Sequence, residues 1–547
     1  MLRACGMQHC FFREYHKMAE NKHKYLHNTL IISVCSFLSQ ILGLLRTTLL
    51  SSFYGATQSE GLSDCYAAAF KLPDIIYTLV VSGILSIVLI PYFITKIKPD
   101  NESDISEINR SCAGFVNFFF ILISVCLIAG YIFAPFIVSR WLLIGWTDAD
   151  KIALTVRMTR IIFIQVLFIT LSGVFGSYLN ALEKFAAYSF AMLSYNVGII
   201  AGIVLLAPYI GIEGAAWGVA AGGFLHFIIQ LCGSVRVGFR YSFVLPKPDK
   251  ELGDLLINAI PRVVTLGSTQ AVRFFLVSIG SFIFSGAIFI FDNVENIAMV
   301  PYGLVAISIS TTAFPIFIKY YQADDYSGLF VSLFEKMRIL FYFILPMSVL
   351  LIILRQETVD ILMGYKNFSA QDIDYTADAL FWLMFSMPFF SATLVLVKFY
   401  YAIRKSFLPM IIALVTAALA IGLSYWLTPQ IQICGLAIGR GAGYIVQYIL
   451  LLVFLIPIFR GRAAFSAEVR VILRDSVVLF VISAILLILG MGMQYIMNFP
   501  IAPKLASILR LAVIGAVISG LYFALTYLCR IPDARDVIGM VKKKLGK

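Results

Sequence analysis

Runs of about 20 apolar residues, the length that crosses a bilayer as a helix, recur fourteen times along this chain. They fall near 29–54, 63–95, 111–138, 153–181, 185–208, 212–235, 254–283, 287–319, 328–354, 376–403, 406–427, 433–458, 476–497 and 505–529. Little sequence is left for anything else, so the expected fold class is all-α integral membrane, with fourteen transmembrane helices. Composition agrees: 60% of the 547 residues are hydrophobic and 13% are charged, against about 25% charged in soluble chains. Residues 1–28 are polar and basic and lack the apolar core of a secretory signal, so they read as a cytoplasmic tail.

Lys and Arg set the orientation. With the N-terminus in the cytoplasm, 28 of the 42 fall in inward-facing segments and 5 in outer loops. That is a strong positive-inside bias. One missed span would reverse every later loop, so the bias also supports the count and places both termini in the cytoplasm. The net charge of +12 is then a topology signal. No basic patch is interleaved with exposed aromatics, which argues against nucleic acid as a partner. The nine cysteines are scattered without a CxxC pair, and no Cys/His cluster has metal-ligand spacing. No metal and no cofactor are expected. Four of the five histidines lie in the first 28 residues, which disfavours a histidine proton relay.

The chain carries an internal repeat. GIEGAAWGVAAGG (211–223) matches QICGLAIGRGAGY (432–444), with Gly214, Gly218 and Gly222 aligned to Gly435, Gly439 and Gly443 at an offset of 221. The same offset aligns ALEKF (181–185) with AIRKS (402–406), and Pro91 pairs with Pro315 at 224. The repeat spans helices 1–6 and 7–12. Six is even, so the two copies enter the membrane from the same side, as parallel repeats do in some transporters. The expected organisation is a cytoplasmic tail (1–28), a six-helix lobe (29–236), a cytoplasmic inter-lobe loop (237–253) and a second six-helix lobe (254–458). Helices 13 and 14 (476–529) and a basic cytoplasmic tail (530–547) follow. Glycine every fourth residue lets helices pack backbone to backbone, and packing is the simplest reading of these glycines.

Charges inside the spans are the candidates for function. Helix 1 places Ser36, Ser39, Gly43 and Arg46 on one stripe, with Gln40 and Thr47 beside them and leucines on the other side. Arg46 lies ~7 Å past the middle of its helix, from the 1.5 Å rise per residue. A charge at such depth costs between ~2.5 and ~17 kcal/mol. Helix 2 repeats the pattern with Asp64, Lys71, Asp74, Thr78, Ser82 and Ser86, and helix 7 with Arg262, Thr265, Thr269 and Arg273. Helix 8 carries Asp292 and Glu295 ahead of Pro301. Lipid penalises each such group, so the stripes are expected to face a wet cavity lined by Ser39, Arg46, Asp64, Lys71 and Arg273. Ion pairing or snorkelling at a helix end is the competing reading for Lys71, Asp74, Arg157 and Arg262. Surplus arginine suits an anion, and guanidinium suits phosphate because it offers paired donors.

SQILGLLRTTLLSSFYGATQSEGLSDCYAAAFKLPD (39–74) resembles the first two helices of the MurJ (MviN) lipid II flippases, within the multidrug/oligosaccharidyl-lipid/polysaccharide exporter superfamily. GSYLNALEKF, SYNVGIIAG and AAWGVAAGGFLHFIIQL resemble its helices 4 to 6, and PYGLVAISISTTAFP its helix 8. The resemblance runs from about residue 28 to 530. It implies movement of undecaprenyl-pyrophosphate disaccharide-pentapeptide from the inner to the outer leaflet of the bacterial cytoplasmic membrane. Lipid II and membrane lipids are then partners, with cell wall synthesis proteins as further ones. It also places the family's cavity arginine at Arg46, its helix-2 acid at Asp64 and its helix-5 asparagine at Asn196. The family's other charges are replaced: Gln40, Thr47, Tyr77, Ser82 and Asn296 stand at those positions. The implied substrate site is thus Ser39, Gln40, Gly43, Arg46, Asp64, Lys71, Asn196, Arg262, Arg273 and Glu295. Segment 407–426 holds no Asp, Glu or Asn, so the sodium site some members build there is not expected.

Two other classes remain open. A multidrug/cation antiporter or another polysaccharide exporter would share the superfamily, but an antiporter needs an acidic cavity and usually stops at twelve spans. A cell-wall scaffold that has lost transport would explain the replaced charges, but not three intact polar stripes. An enzyme is not expected, since neither HExxH nor GxSxG occurs.

Overall fold

The computed structural model describes residues 31, 34–58, 60–79, 88–97, 106–246, 250–460, 467–497 and 503–544. Every regular element among them is helical. The first eleven helices are α1 (Val34–Tyr54), α2 (Leu62–Ala69), α3 (Lys71–Tyr77), α4 (Ile90–Thr95), α5 (Ser106–Ile137), α6 (Ala149–Ala181), α7 (Phe185–Ala201), α8 (Ala207–Ile210), α9 (Glu213–Arg236), α10 (Lys250–Gly280) and α11 (Ala287–Pro301). Then come α12 (Ile307–Gln322), α13 (Tyr326–Ile353), α14 (Arg355–Met363), α15 (Ala370–Met384), α16 (Met387–Ala402) and α17 (Phe407–Ile431). Last are α18 (Ile433–Val453), α19 (Ile456–Phe459), α20 (Ala467–Ile496), α21 (Pro503–Leu528) and α22 (Pro532–Lys544).

Among the described residues, twelve helical stretches are long and apolar enough to cross a membrane. A thirteenth is α15 with α16, bent by 46°. The bend falls just before Pro388, which sits in the first turn of α16, where its missing N–H costs nothing. The remaining expected span, 63–95, is seen only as α2, α3 and α4. Its middle, with Ser82 and Ser86, lies outside the described residues, as do the 1–28 tail and residues 247–249 of the inter-lobe loop. The described residues thus account for twelve or thirteen of the fourteen expected spans. The 530–547 tail is not simply extended: most of it forms α22, with Ile531 and Ala534 buried.

The duplication is written in the backbone. Glu183 and Arg404, 221 residues apart, end equivalent helices with φ of 56° and 59°. Gly211 and Gln432, also 221 apart, have φ of 68° and 50°. Such left-handed values are uncommon outside glycine, so their recurrence at one offset marks one fold used twice. The glycine rows lie where the paired helices touch. A Cβ on Gly218 would stand 2.7 Å from the Cα of Gly202 on the chain just after α7, and one on Gly439 2.5 Å from the Ser424 nitrogen of α17. Packing is what these glycines do.

By compactness the chain divides into two units. One holds Met1–Leu49, Leu72–Ala134 and Val156–Ile260; the other holds Leu50–Lys71, Pro135–Thr155 and Pro261–Lys547. The division cuts across the repeat, because the ends of α1, α5 and α6 assigned to the outer face belong to the second unit. The first unit is cored by an aromatic cluster in which Phe93 meets Phe115 and Tyr178 edge to face. The second is cored around Phe317, Phe341, Phe399 and Tyr400. Its core extends into α20 and α21, and Tyr522 of α21 donates a 2.8 Å hydrogen bond to the Tyr342 carbonyl of α13. Lys504–Asp360 and Arg510–Glu357 tie α21 to α14.

Candidate functional site

In the first unit, the polar stripe of α1 meets α7. Asn196 donates from Nδ2 to Ser39 Oγ at 3.0 Å and to the Ser39 carbonyl at 3.2 Å, while Ser39 Oγ donates to the Met192 carbonyl at 3.3 Å. Gly43 follows one turn on, facing the Asn196 amide oxygen. Arg46 and Asp74 both lie in the electrostatic range of the Tyr195 hydroxyl. A cavity of about 310 Å³ opens here, lined by Ser39, Asp74, Tyr77, Gln165, Tyr195, Asn196 and His226. Arg46 is half-buried and forms no ion pair with a carboxylate of its own unit among the described residues. Gln40 stands exposed, off this hydrogen-bonded group.

In the second unit Lys71, Arg273 and Arg440 are paired with carboxylates. Lys71 Nζ is 2.5 Å from Asp292 Oδ1, with the lysine side chain 9% exposed. Glu295 is buried between two arginines: Arg273 Nε at 3.4 Å from one carboxylate oxygen and Arg440 Nε at 3.1 Å from the other. Arg440 is buried, whereas the Arg273 side chain is 32% exposed. The triad carries one net positive charge, because Arg440 neutralises the Glu295 that would otherwise cancel Arg273. Arg262 lies in the field of Lys398 and Tyr401 instead. Lys398 stacks on the Phe314 ring at 5.4 Å.

Asp64 does something different from lining a cavity. It is 1% exposed, and its two carboxylate oxygens accept from the Gly286 N–H at 2.6 Å and the Phe289 N–H at 2.7 Å. These are orphan donors at the start of α11, so Asp64 caps a helix of the other repeat copy. Asp372 works the same way from the opposite copy. It closes the capping box of α15 with Ser369 and also accepts from the Ala56 and Thr57 N–H groups and the Thr57 hydroxyl, the last at 2.7 Å. Gly286 makes the approach possible: its φ is +102°, and a Cβ there would lie 2.7 Å from the Ala56 carbonyl carbon. Thus the segments after α1 and before α2 are sewn to the starts of α11 and α15.

The structure therefore gathers Ser39, Gly43 and Asn196 with Arg46 nearby, and separately Arg273 with Glu295. It assigns Asp64 and Lys71 to contacts between helices. Sequence reasoning missed three residues. Arg440 was hidden in a motif read for its glycines, Lys398 near the end of a helix, and Asp372 in a segment between spans. The signal for Arg440 was available, since it is a charge inside the span 433–458.

A duplicated helical fold, caps exchanged between its copies and an arginine near a polar cavity, in no ion pair within its own unit among the described residues, are the features to compare with known proteins. The fold is similar to a solved structure of "Lipid II flippase MurJ, inward closed conformation", with a TM-score of 0.71 and 21% identity over 90% of this chain and 99% of that one. It is also similar, at a TM-score of 0.63 and 13% identity over 80% of this chain and 98% of that one, to an inward-facing multidrug resistance MATE family transporter of the MOP superfamily. Among curated relatives, the probable lipid II flippase MurJ of Rickettsia prowazekii (strain Madrid E) is 26% identical over 415 residues, covering 75% of this chain and 80% of that protein. The lipid II flippase MurJ of Burkholderia cenocepacia is 25% identical over 431 residues, covering 77% and 82%. The family model described as "Lipid II flippase MurJ" matches residues 55–504, and the chain belongs to that family of multi-pass membrane transporters.

Proposed function

We propose that this chain moves lipid II, an undecaprenyl-pyrophosphate-linked peptidoglycan precursor, from the inner to the outer leaflet of a bacterial cytoplasmic membrane. The observation that carries the reading is Arg46: a guanidinium inside a membrane span, near a polar cavity, in no ion pair with a carboxylate of its own unit among the described residues. Such a charge is costly unless a ligand uses it, and a pyrophosphate matches its paired donors. Arg273 is the second cationic candidate, kept positive by Arg440. Ser39, Gly43 and Asn196 shape the wall beside Arg46, and Gly43 leaves the backbone open to a bulky headgroup.

Movement follows alternating access between the two repeat copies. In the state described here the caps at Asp64 and Asp372 are made, and outward access requires breaking them. They are hydrogen bonds to backbone N–H groups, so they can be exchanged for water when that end is hydrated. An inside-negative potential favours outward movement of an anionic headgroup by ~2.3 kcal/mol per charge per 100 mV. The lipid tail is assigned to α20 and α21, which lie outside the repeat. The Lys and Arg bias places both termini and the 237–253 loop in the cytoplasm. An engineered cysteine near Lys250 should therefore resist an impermeant reagent applied to intact cells.

The functional test is rescue of a cell depleted of its lipid II flippase. The wild-type chain should restore growth, and Arg46→Ala should fail although it reaches the membrane. If the wild-type chain reaches the membrane and does not rescue, the scaffold reading replaces this one.

A further inference from the structure

The first unit contains a second and larger cavity, of about 580 Å³, at the junction of α6, α7 and α9. It shares no residue with the cavity beside Arg46. Its floor is apolar and includes Phe185, Phe190, Ile228 and Ile229. One wall is made of small residues. Gly233 of α9 packs so closely on α7 that a Cβ there would lie 2.4 Å from the Ala187 Cβ. With only hydrogens and methyls on that wall, the chain's own side chains do not fill the trough. Its edge carries Lys184, at the start of α7, and Arg236, at the end of α9, with Glu183 beside them. Both cations are exposed, and neither is in an ion pair among the described residues. Their end of the helices is the one that the Lys and Arg bias assigns to the cytoplasm.

An apolar trough running into the membrane from two unpaired cations at headgroup level matches one chemistry. We propose that this groove binds an anionic glycerophospholipid, with its phosphodiester between Lys184 and Arg236 and an acyl chain along the apolar floor. Two cations and one carboxylate leave the edge with one net positive charge. A zwitterionic lipid brings its own ammonium to that edge and gains little, whereas a monoanionic headgroup is held. The leaflet rests on the orientation proposed above; the site does not. Lipid placed in both leaflets therefore separates failure of the site from failure of the orientation.

Cys232 lines the groove one turn before Arg236, and it is exposed, as is Cys529 on another part of the chain. The full-length protein would be placed in nanodiscs of phosphatidylcholine, with or without phosphatidylglycerol. N-ethylmaleimide modification would be followed at each cysteine by peptide mass spectrometry. Phosphatidylglycerol should slow modification of Cys232 by about fivefold, the occupancy that one net cation near the surface contributes, and leave Cys529 unchanged. K184Q/R236Q should abolish the protection, and K184R should keep it. This readout needs no transport, so it stands or falls apart from the flippase reading. Equal rates in the two lipids, or protection that survives in K184Q/R236Q, would overturn the proposal. In the first case an uncharged lipid or none occupies the groove.

Discussion

Arg46 of the first unit and the ion-paired cations of the second live in opposite circumstances. Arg46 has a tyrosine and a cavity for company in the first unit. In the second unit, Lys71 is closed on Asp292, and Arg273 and Arg440 share Glu295. A buried ion pair roughly offsets its own desolvation and adds little, so the paired charges are explained by the contacts they make. An unpaired one is not, and its cost has to be recovered from something outside the chain. A cation inside a span thus carries two meanings, and the partner decides which.

The largest effect is expected in the triad. Arg440→Leu leaves Glu295 with Arg273 alone, and breaking a buried pair from one side costs about 3–5 kcal/mol. Thermal unfolding in detergent should show a large drop for Arg440→Leu and recovery of most of it in Arg440→Leu/Glu295→Leu. A double variant as unstable as the single one would mean that the triad is not an electrostatic unit. The next effect belongs to Arg46. Arg46→Ala should unfold near the wild-type temperature, because no partner is orphaned, while Arg46→Lys should rescue growth only partly, since it keeps the charge and loses the paired donors. A marked loss of stability in Arg46→Ala would place this residue with the paired charges. Asp64→Asn comes third. It removes one of two charge-assisted bonds to the α11 start, each about 1.5–3 kcal/mol, and should raise labelling of outer-side cysteines by an impermeant reagent. Unchanged labelling would show that the caps do not hold that end closed. Ser39→Ala should be smallest, at about 0.5–1.5 kcal/mol for a neutral hydrogen bond, read as a slight fall in unfolding temperature.

The sequence announced the duplication more reliably than the site. Gly214/Gly435 were visible because close helix approach demands glycine, which leaves fixed marks at a constant offset, whereas the left-handed positions Glu183/Arg404 and Gly211/Gln432 carry different residues and show only in the backbone. The Ser39–Gly43–Arg46 stripe was equally legible, since helical periodicity alone puts those residues on one side. Ion-pair partners were not legible. Lys71 and Asp292 are 221 residues apart, and only the packing of α2, which ends beside Lys71, on α11 brings them together. The role of Asp64 was hidden for the same reason: a carboxylate becomes a cap only when another helix presents its first N–H groups to it. The resemblance carried Asp64 into the substrate site as a charged family position, whereas the geometry shows it capping α11.

The comparison reduces to whether the unpaired arginine, and not the paired lysine, holds the substrate. Lipid II binding to the purified wild type, Arg46→Ala and Lys71→Ala, followed by native mass spectrometry across a lipid II titration, tests this directly. Loss of the Arg46 contact should weaken binding by about tenfold to a hundredfold, equivalent to about 1.5–3 kcal/mol, with Lys71→Ala close to wild type. Full affinity in Arg46→Ala, or an equal loss in both variants, would contradict the assignment of Arg46 as the charge that holds the pyrophosphate.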